Sequence, residues 1–147
     1  MKGDPVPDAD HIARYCGRAK LDEDDRPTGQ AFRLRASSQG IEPFLSVNWL
    51  EHLSTGDRSE QIDALRAAFA AKERFKVAAS ARFAVHQVGE LRDYVHRESP
   101  DNRKLTVLHH PAPDDRSHAA LHGLKDDDDL IGELIAEVVL DTYAAKG

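Results

Sequence analysis

The alternation of apolar and polar residues is cleanest in two stretches. Ala31-Phe-Arg-Leu-Arg35 sets Phe32 and Leu34 on one face and Arg33 and Arg35 on the other; Phe44 to Leu50 sets Leu45, Val47 and Trp49 against Phe44, Ser46, Asn48 and Leu50. A period of two marks a half-buried strand. Ser37-Ser-Gln-Gly40 between them is short enough to close an antiparallel hairpin. A third strand is expected over 82–88 (Arg-Phe-Ala-Val-His-Gln-Val) and a fourth over Leu105–Leu108, stopped by Pro111-Ala-Pro113. His11 to Gly17 fits a strand or one helical turn equally well.

The helical period begins at Asp57, whose carboxylate can cap while Glu60 reaches back from three residues on. Ile62, Leu65 and Phe69 follow at helical spacing and predict a helix over 58–73. Residues 77–95 also carry an apolar stripe that a helix would use. That helix would strand Phe83 and Val85 off the stripe and place Gly89 mid-helix at about 1 kcal/mol, so a strand and then a short helix over 90–98, ending before Ser99-Pro100, are expected instead. The broadest stripe, Leu130, Ile131, Leu134, Ile135, Val138, Val139 and Tyr143, predicts a final helix running to the C-terminus, capped by Asp126 to Asp129. The sum is an α+β fold: a single domain over 11–147, with a mixed or antiparallel sheet of about four strands and helices mainly on one face. Residues 1–10, rich in proline and aspartate, read as a flexible lead, and 22–29 as an exposed loop.

Composition narrows the classes. A chain of 147 residues can bury a core without a structural metal or disulfide. The net charge of -6 argues against nonspecific binding to nucleic acid or to an anionic membrane surface. No apolar run approaches the ~20 residues of a membrane span, and the first residues lack the apolar core of a signal peptide, so a cytoplasmic location is expected. Cys16, the single cysteine, fits a reducing compartment. No internal repeat and no glycine-rich phosphate loop is present.

Candidate chemistry concentrates in Leu105 to Gly123, which holds four of the eight histidines. His118 and His122 would share one face of a short helix ending at Gly123, and His110 and Asp114, or His109 and Asp115, would complete a zinc-like set. The residues between the pair are Ala119, Ala120 and Leu121, without the glutamate of zinc hydrolase motifs, so no cofactor is the baseline expectation and a divalent metal the exception. Cys16 is a candidate nucleophile, with Arg14 and Arg18 to favour its thiolate and with His86 and His109 as candidate catalytic partners. Asn48 and His86 are polar residues inside strands that could converge with His109 on a pocket.

Charge is unevenly spread. Arg66, Lys72, Arg74 and Lys76 form a basic segment interleaved with phenylalanines that equally fit core positions, so a protein partner is favoured over nucleic acid. Asp126, Asp127, Asp128 and Asp129 form its acidic counterpart, on this chain or on a second copy in a homodimer. The leading functional expectation is a small accessory module that docks to another macromolecule through these surfaces. The alternative is a hydrolase or transferase with a histidine-rich site, metal-dependent or built on Cys16; no motif identifies a reaction, and whether the chain is an enzyme stays open at this level.

Overall fold

The computed structural model describes residues 3–38 and 40–147. In chain order the elements are β1 (His11–Cys16), β2 (Ala36–Ser37), β3 (Gly40–Ile41), β4 (Leu45–Trp49), α1 (Leu50–Leu53), α2 (Arg58–Ala70), β5 (Arg82–Gln87), α3 (Val88–Glu98), β6 (Thr106–His109), β7 (His118–His122), α4 (Asp129–Glu137) and β8 (Asp141–Ala144). Six strands form one open antiparallel sheet in the order β6-β7-β4-β1-β5-β8, and β2 pairs only with β3. The fold is α+β as expected, but the sheet is larger than the four strands expected from alternation.

Helices cover both faces of this sheet, which corrects the expectation of one. On the first face, Ile12, Cys16, Leu45, Val47, Ala84, Val107, Ala119 and Leu121 pack with Val88, Leu91 and Val95 of α3 and Ile131, Leu134 and Ile135 of α4. On the second, Ala13, Phe83 and Val85 pack with Leu50 of α1 and Ile62, Leu65 and Phe69 of α2. Each fully buried large side chain of this kind stabilises by about 1.5–3 kcal/mol over its exposed state. Gly132 lets α4 approach closely: a Cβ there would lie 2.6 Å from the Gly29 carbonyl oxygen.

Three expected elements differ, each because tertiary contacts outweigh local pattern. Residues 31–35 are no strand; a 3-10 turn over Gly29–Phe32 buries Ala31 and Phe32, while Arg33 turns to Asp129 at 3.0 Å. The second strand of the expected hairpin forms as β4, but it pairs with β1 and β7 rather than with residues 31–35. Between them β2 and β3 pair with each other, and Gln39 of the connection lies outside the described residues. The final helix stops at Glu137, after which the Leu140 amide donates to the Val85 carbonyl and Tyr143 pairs with Phe83 in β8. The short helix expected before Gly123 is instead β7, laddered on both sides, to β4 and to β6.

The strand at 82–88, the helices after Asp57 and before Ser99, and the strand ending at His109 form close to where the pattern places them. Asp57 and Glu60 make the full capping box. The lead is held along β6: the Val6 amide donates to Val107 O at 2.9 Å and the His109 amide to Asp4 O at 2.8 Å, with Val6 buried. No helix among the described residues is long and apolar enough to cross a membrane.

Candidate active site

A cluster of polar side chains gathers where β1 and β4 part. Their ladder holds for only two residue pairs, Ile12 with Trp49 and Ala13 with Asn48. Beyond these the strands diverge, and the Arg14 guanidinium bridges the gap: Nε donates to Ala31 O at 3.0 Å and Nη1 to Ser46 O at 2.8 Å. The backbone groups that lost a ladder partner are thus satisfied by a side chain. A cleft of about 400 Å³ opens here, lined by β1, β4, the end of α2, and the loop from His110 to Asp115.

Pleat places the polar groups. Ser46 and Asn48 share the face of β4 opposite Leu45 and Val47, and Asn48 pairs with His118 on β7. The His118 ring therefore lies diagonally across from Ser46, its Nε2 3.0 Å from Ser46 Oγ. Its Nδ1 lies 2.7 Å from the His110 carbonyl oxygen. A carbonyl only accepts, so Nδ1 carries the hydrogen and the neutral ring presents Nε2 as an acceptor to the serine hydroxyl. The His110 ring completes the wall, its Nδ1 3.3 Å from that of His118.

Asp115 anchors the floor. It is 5% exposed, accepts from Asn48 Nδ2 at 2.9 and 3.0 Å and from Ser117 Oγ at 3.1 Å, and meets Lys72 Nζ at 3.0 Å. Burial pushes its carboxyl up, but the donors Asn48 and Lys72, the Lys72 charge and Ser117 together outweigh it and hold the group below its usual range. Lys72 also sits over the Phe69 ring, 4.2 Å from its centroid.

The residues expected to be catalytic lie elsewhere. Cys16, His86 and His109 all point to the first face of the sheet, the side of α3 and α4. Cys16 is fully buried, with its thiol against Arg14 O; burial pushes its pKa up to about 11, despite the nearby Arg14 charge. It is a protonated, inert thiol at neutral pH. Native protein at pH 8 is expected to resist iodoacetamide and to react fully once unfolded; rapid stoichiometric alkylation of the native state would contradict this placement.

His86 is enclosed, donating from Nε2 to Ile135 O at 2.8 Å with its ring edge-on to Phe32. Four residues separate its register position from that of Cys16 along the same pair of strands. His109 donates to Arg116 O, packs against Trp49 and His52, and leaves its buried Nδ1 without a hydrogen-bond partner. Asn48 does reach a pocket, but with Asp115 and Ser117 rather than with His86 or His109.

The helix expected to bring His118 and His122 together as metal ligands is a strand. On a strand, His118 and His122 keep a common face but sit roughly 13 Å apart along the backbone, and Phe44 packs against His110, His118 and His122. Among the described residues no group of three or more His, Cys, Asp or Glu is arranged to hold a metal ion, Asp114 included.

No family model, curated protein or solved structure matches this chain.

Sequence reasoning missed Ser46 and Ser117 altogether and valued Arg14 only as a neighbour of Cys16. The signal for Ser46 was present: it shares with Asn48 the polar phase of the best-formed alternating strand.

Of the charged residues expected to meet a partner, most are engaged within the fold. Asp128 forms a two-pronged pair with Arg103 and accepts from the Lys125 amide; Asp127 and Asp129 pair with Arg33. Arg66 donates to Ala144 O and pairs with Asp63, and Lys72 is held by Asp115. Arg74, Lys76 and Asp126 are exposed, with no ion-pair partner among the described residues.

Proposed function

We propose that the protein is a hydrolase or group-transfer enzyme acting at this cleft, with Ser46 as nucleophile and His118 as general base. The observation that carries the reading is the chain from Ser46 Oγ to His118 Nε2 at 3.0 Å and from His118 Nδ1 to His110 O at 2.7 Å, opening into the cleft. Nucleophile, base and a third group fixing the tautomer of the base are the roles that acyl transfer requires.

In the proposed reaction the Ser46 oxygen bonds to an acyl carbon while its proton passes to His118 Nε2, and the imidazolium returns that proton to the leaving group. Water, or another acceptor, then attacks the acyl-serine with His118 again taking the proton, releasing Ser46. A backbone carbonyl at the third position orients the ring as a carboxylate would but steadies the imidazolium less. Arg14 holds the Ser46 backbone through its carbonyl.

The docking reading draws less support, because Lys72 and three of the four aspartates are occupied by internal partners.

The test is covalent labelling with a fluorophosphonate followed by peptide mass spectrometry, together with hydrolysis of p-nitrophenyl acetate. An adduct on Ser46 is expected, and His118→Ala should slow its formation by about 10²–10⁴-fold. Cys16→Ser should leave both readouts unchanged. Absence of an adduct, or unaltered turnover in Ser46→Ala, would overturn the proposal.

A further inference from the structure

Arg14 is the least explained charge in the cleft. The guanidinium carries five N–H donors, and its recorded partners are two backbone carbonyls. Among the described residues no carboxylate lies within ion-pair distance of it. By contrast Lys72 is neutralised by Asp115 and Arg35 by Glu42 at 3.6 Å. A guanidinium with unused donors therefore borders the cavity, and Glu42 acts on it only from beyond ion-pair distance. Charged groups in such positions are ordinarily paired.

The opposite wall is aromatic. Tyr15, Phe69 and Phe75 pack edge to face and stacked, with the Tyr15 and Phe75 centroids 4.9 Å apart. Phe75 is 38% exposed, the flank of a ring left uncovered beside the cavity. A flat ring set against this wall would bury area that the fold itself leaves open. Asp114, on the rim, is exposed to water and adds little repulsion at that dielectric.

We infer that the cleft takes a small ligand combining a planar aromatic ring with a single anionic group, the ring against Tyr15 and Phe75 and the anion on the free fork of Arg14. One unpaired cation balances one negative charge, so an aromatic carboxylate fits better than a phosphate dianion. This assignment rests on reading the cleft as the active site, and it names the substrate class for the Ser46 chemistry: esters or amides whose ring-bearing part carries a separate, free carboxylate.

The experiment is an NMR titration of the full chain carrying Ser46→Ala, so that binding is read apart from turnover, with benzoate, benzamide and AMP as probes. Benzoate should shift the Arg14 Nε–H and the Phe75 ring signals saturably. Benzamide, its neutral isostere, should bind at least tenfold more weakly, and AMP should test the phosphate alternative. Phe75→Ala, at a partly exposed position, should weaken benzoate several-fold in a chain whose NMR spectrum remains that of the folded protein; Arg14→Lys should abolish the preference for benzoate over benzamide. Equal binding of benzoate and benzamide, tighter binding of AMP than of benzoate, or shifts confined to residues outside the cleft would overturn the assignment. If Arg14→Lys fails to fold, the wild-type Arg14 signal and Phe75→Ala still decide it. Selective benzoate binding without any Ser46 adduct would sink the catalytic proposal and leave this one standing.

Discussion

Replacing Asp115 with alanine is expected to lower the unfolding free energy by about 3–5 kcal/mol, the range for breaking one partner out of a buried ion pair. The size follows from what is left behind. The Lys72 side chain is 19% exposed and its ammonium would lose the carboxylate 3.0 Å away. Asn48, buried in the sheet, would keep only Ser117 Oγ as an acceptor for its amide, and Ser117 would lose the acceptor for its hydroxyl. Each such orphaned group costs about 1–3 kcal/mol. Urea unfolding of Asp115→Ala against wild type measures the loss. The double variant Lys72→Met, Asp115→Leu should recover a large part of it, because removing both charges removes the desolvation cost along with the attraction. A loss below about 1 kcal/mol in Asp115→Ala would mean that the pair behaves as a solvated surface bridge instead.

Acidification is expected to cost the fold about 3 kcal/mol through His86 alone, at about 1.4 kcal/mol for each tenfold change in proton affinity between the unfolded and folded states. Burial lowers the His86 pKa from its ordinary 6.5 to about 4, against the hydrogen bond to Ile135 O, which raises it. Between these values the unfolded chain binds a proton that the native protein does not, so stability rises with pH across this window. The contribution is fully present above pH 6.5 and lost progressively as pH falls towards 4. His86→Phe, which offers the same core a ring that cannot titrate, should flatten the stability profile between pH 6.5 and 4. If the two proteins keep parallel profiles, the imidazole is not the group that titrates. Asp115 acts in the same direction lower down: its depressed carboxyl stabilises above the ordinary aspartate value and loses that contribution as pH falls through the folded one.

Legibility from sequence followed the range of the interactions. The capping box of α2 involves only Asp57 and Glu60, so a local pattern suffices to place it. The strand at 82–87 is readable because β5 is an interior strand that buries both faces, which makes Phe83 to His86 a continuous buried run, apolar but for His86. The segment from His118 to His122 was misread because alanine is a strong helix former and a spacing of four suits a helix as well as a strand. Its true period is two: Ala119 and Leu121 enter the core while His118 and His122 share the other face.

Tyr143 fitted the last helical stripe but belongs to β8, whose partner β5 lies more than fifty residues earlier in the chain. The histidine-rich segment lines the cleft, yet its partners Ser46 and Lys72 come from a strand and a helix end that no local pattern connects to it. Cys16 drew attention as the sole thiol, and only three-dimensional burial removes it from the chemistry.

The short ladder between β1 and β4 has a mechanical meaning. It divides the sheet into two three-stranded halves, β6-β7-β4 and β1-β5-β8, whose backbones are joined by two residue pairs and the Arg14 bridge. Ser46 and His118 ride on one half, Arg14 and Tyr15 on the other. A small rotation about this seam changes the gap between the two groups while leaving every other ladder intact, so the width of the cleft is governed by the softest joint in the sheet.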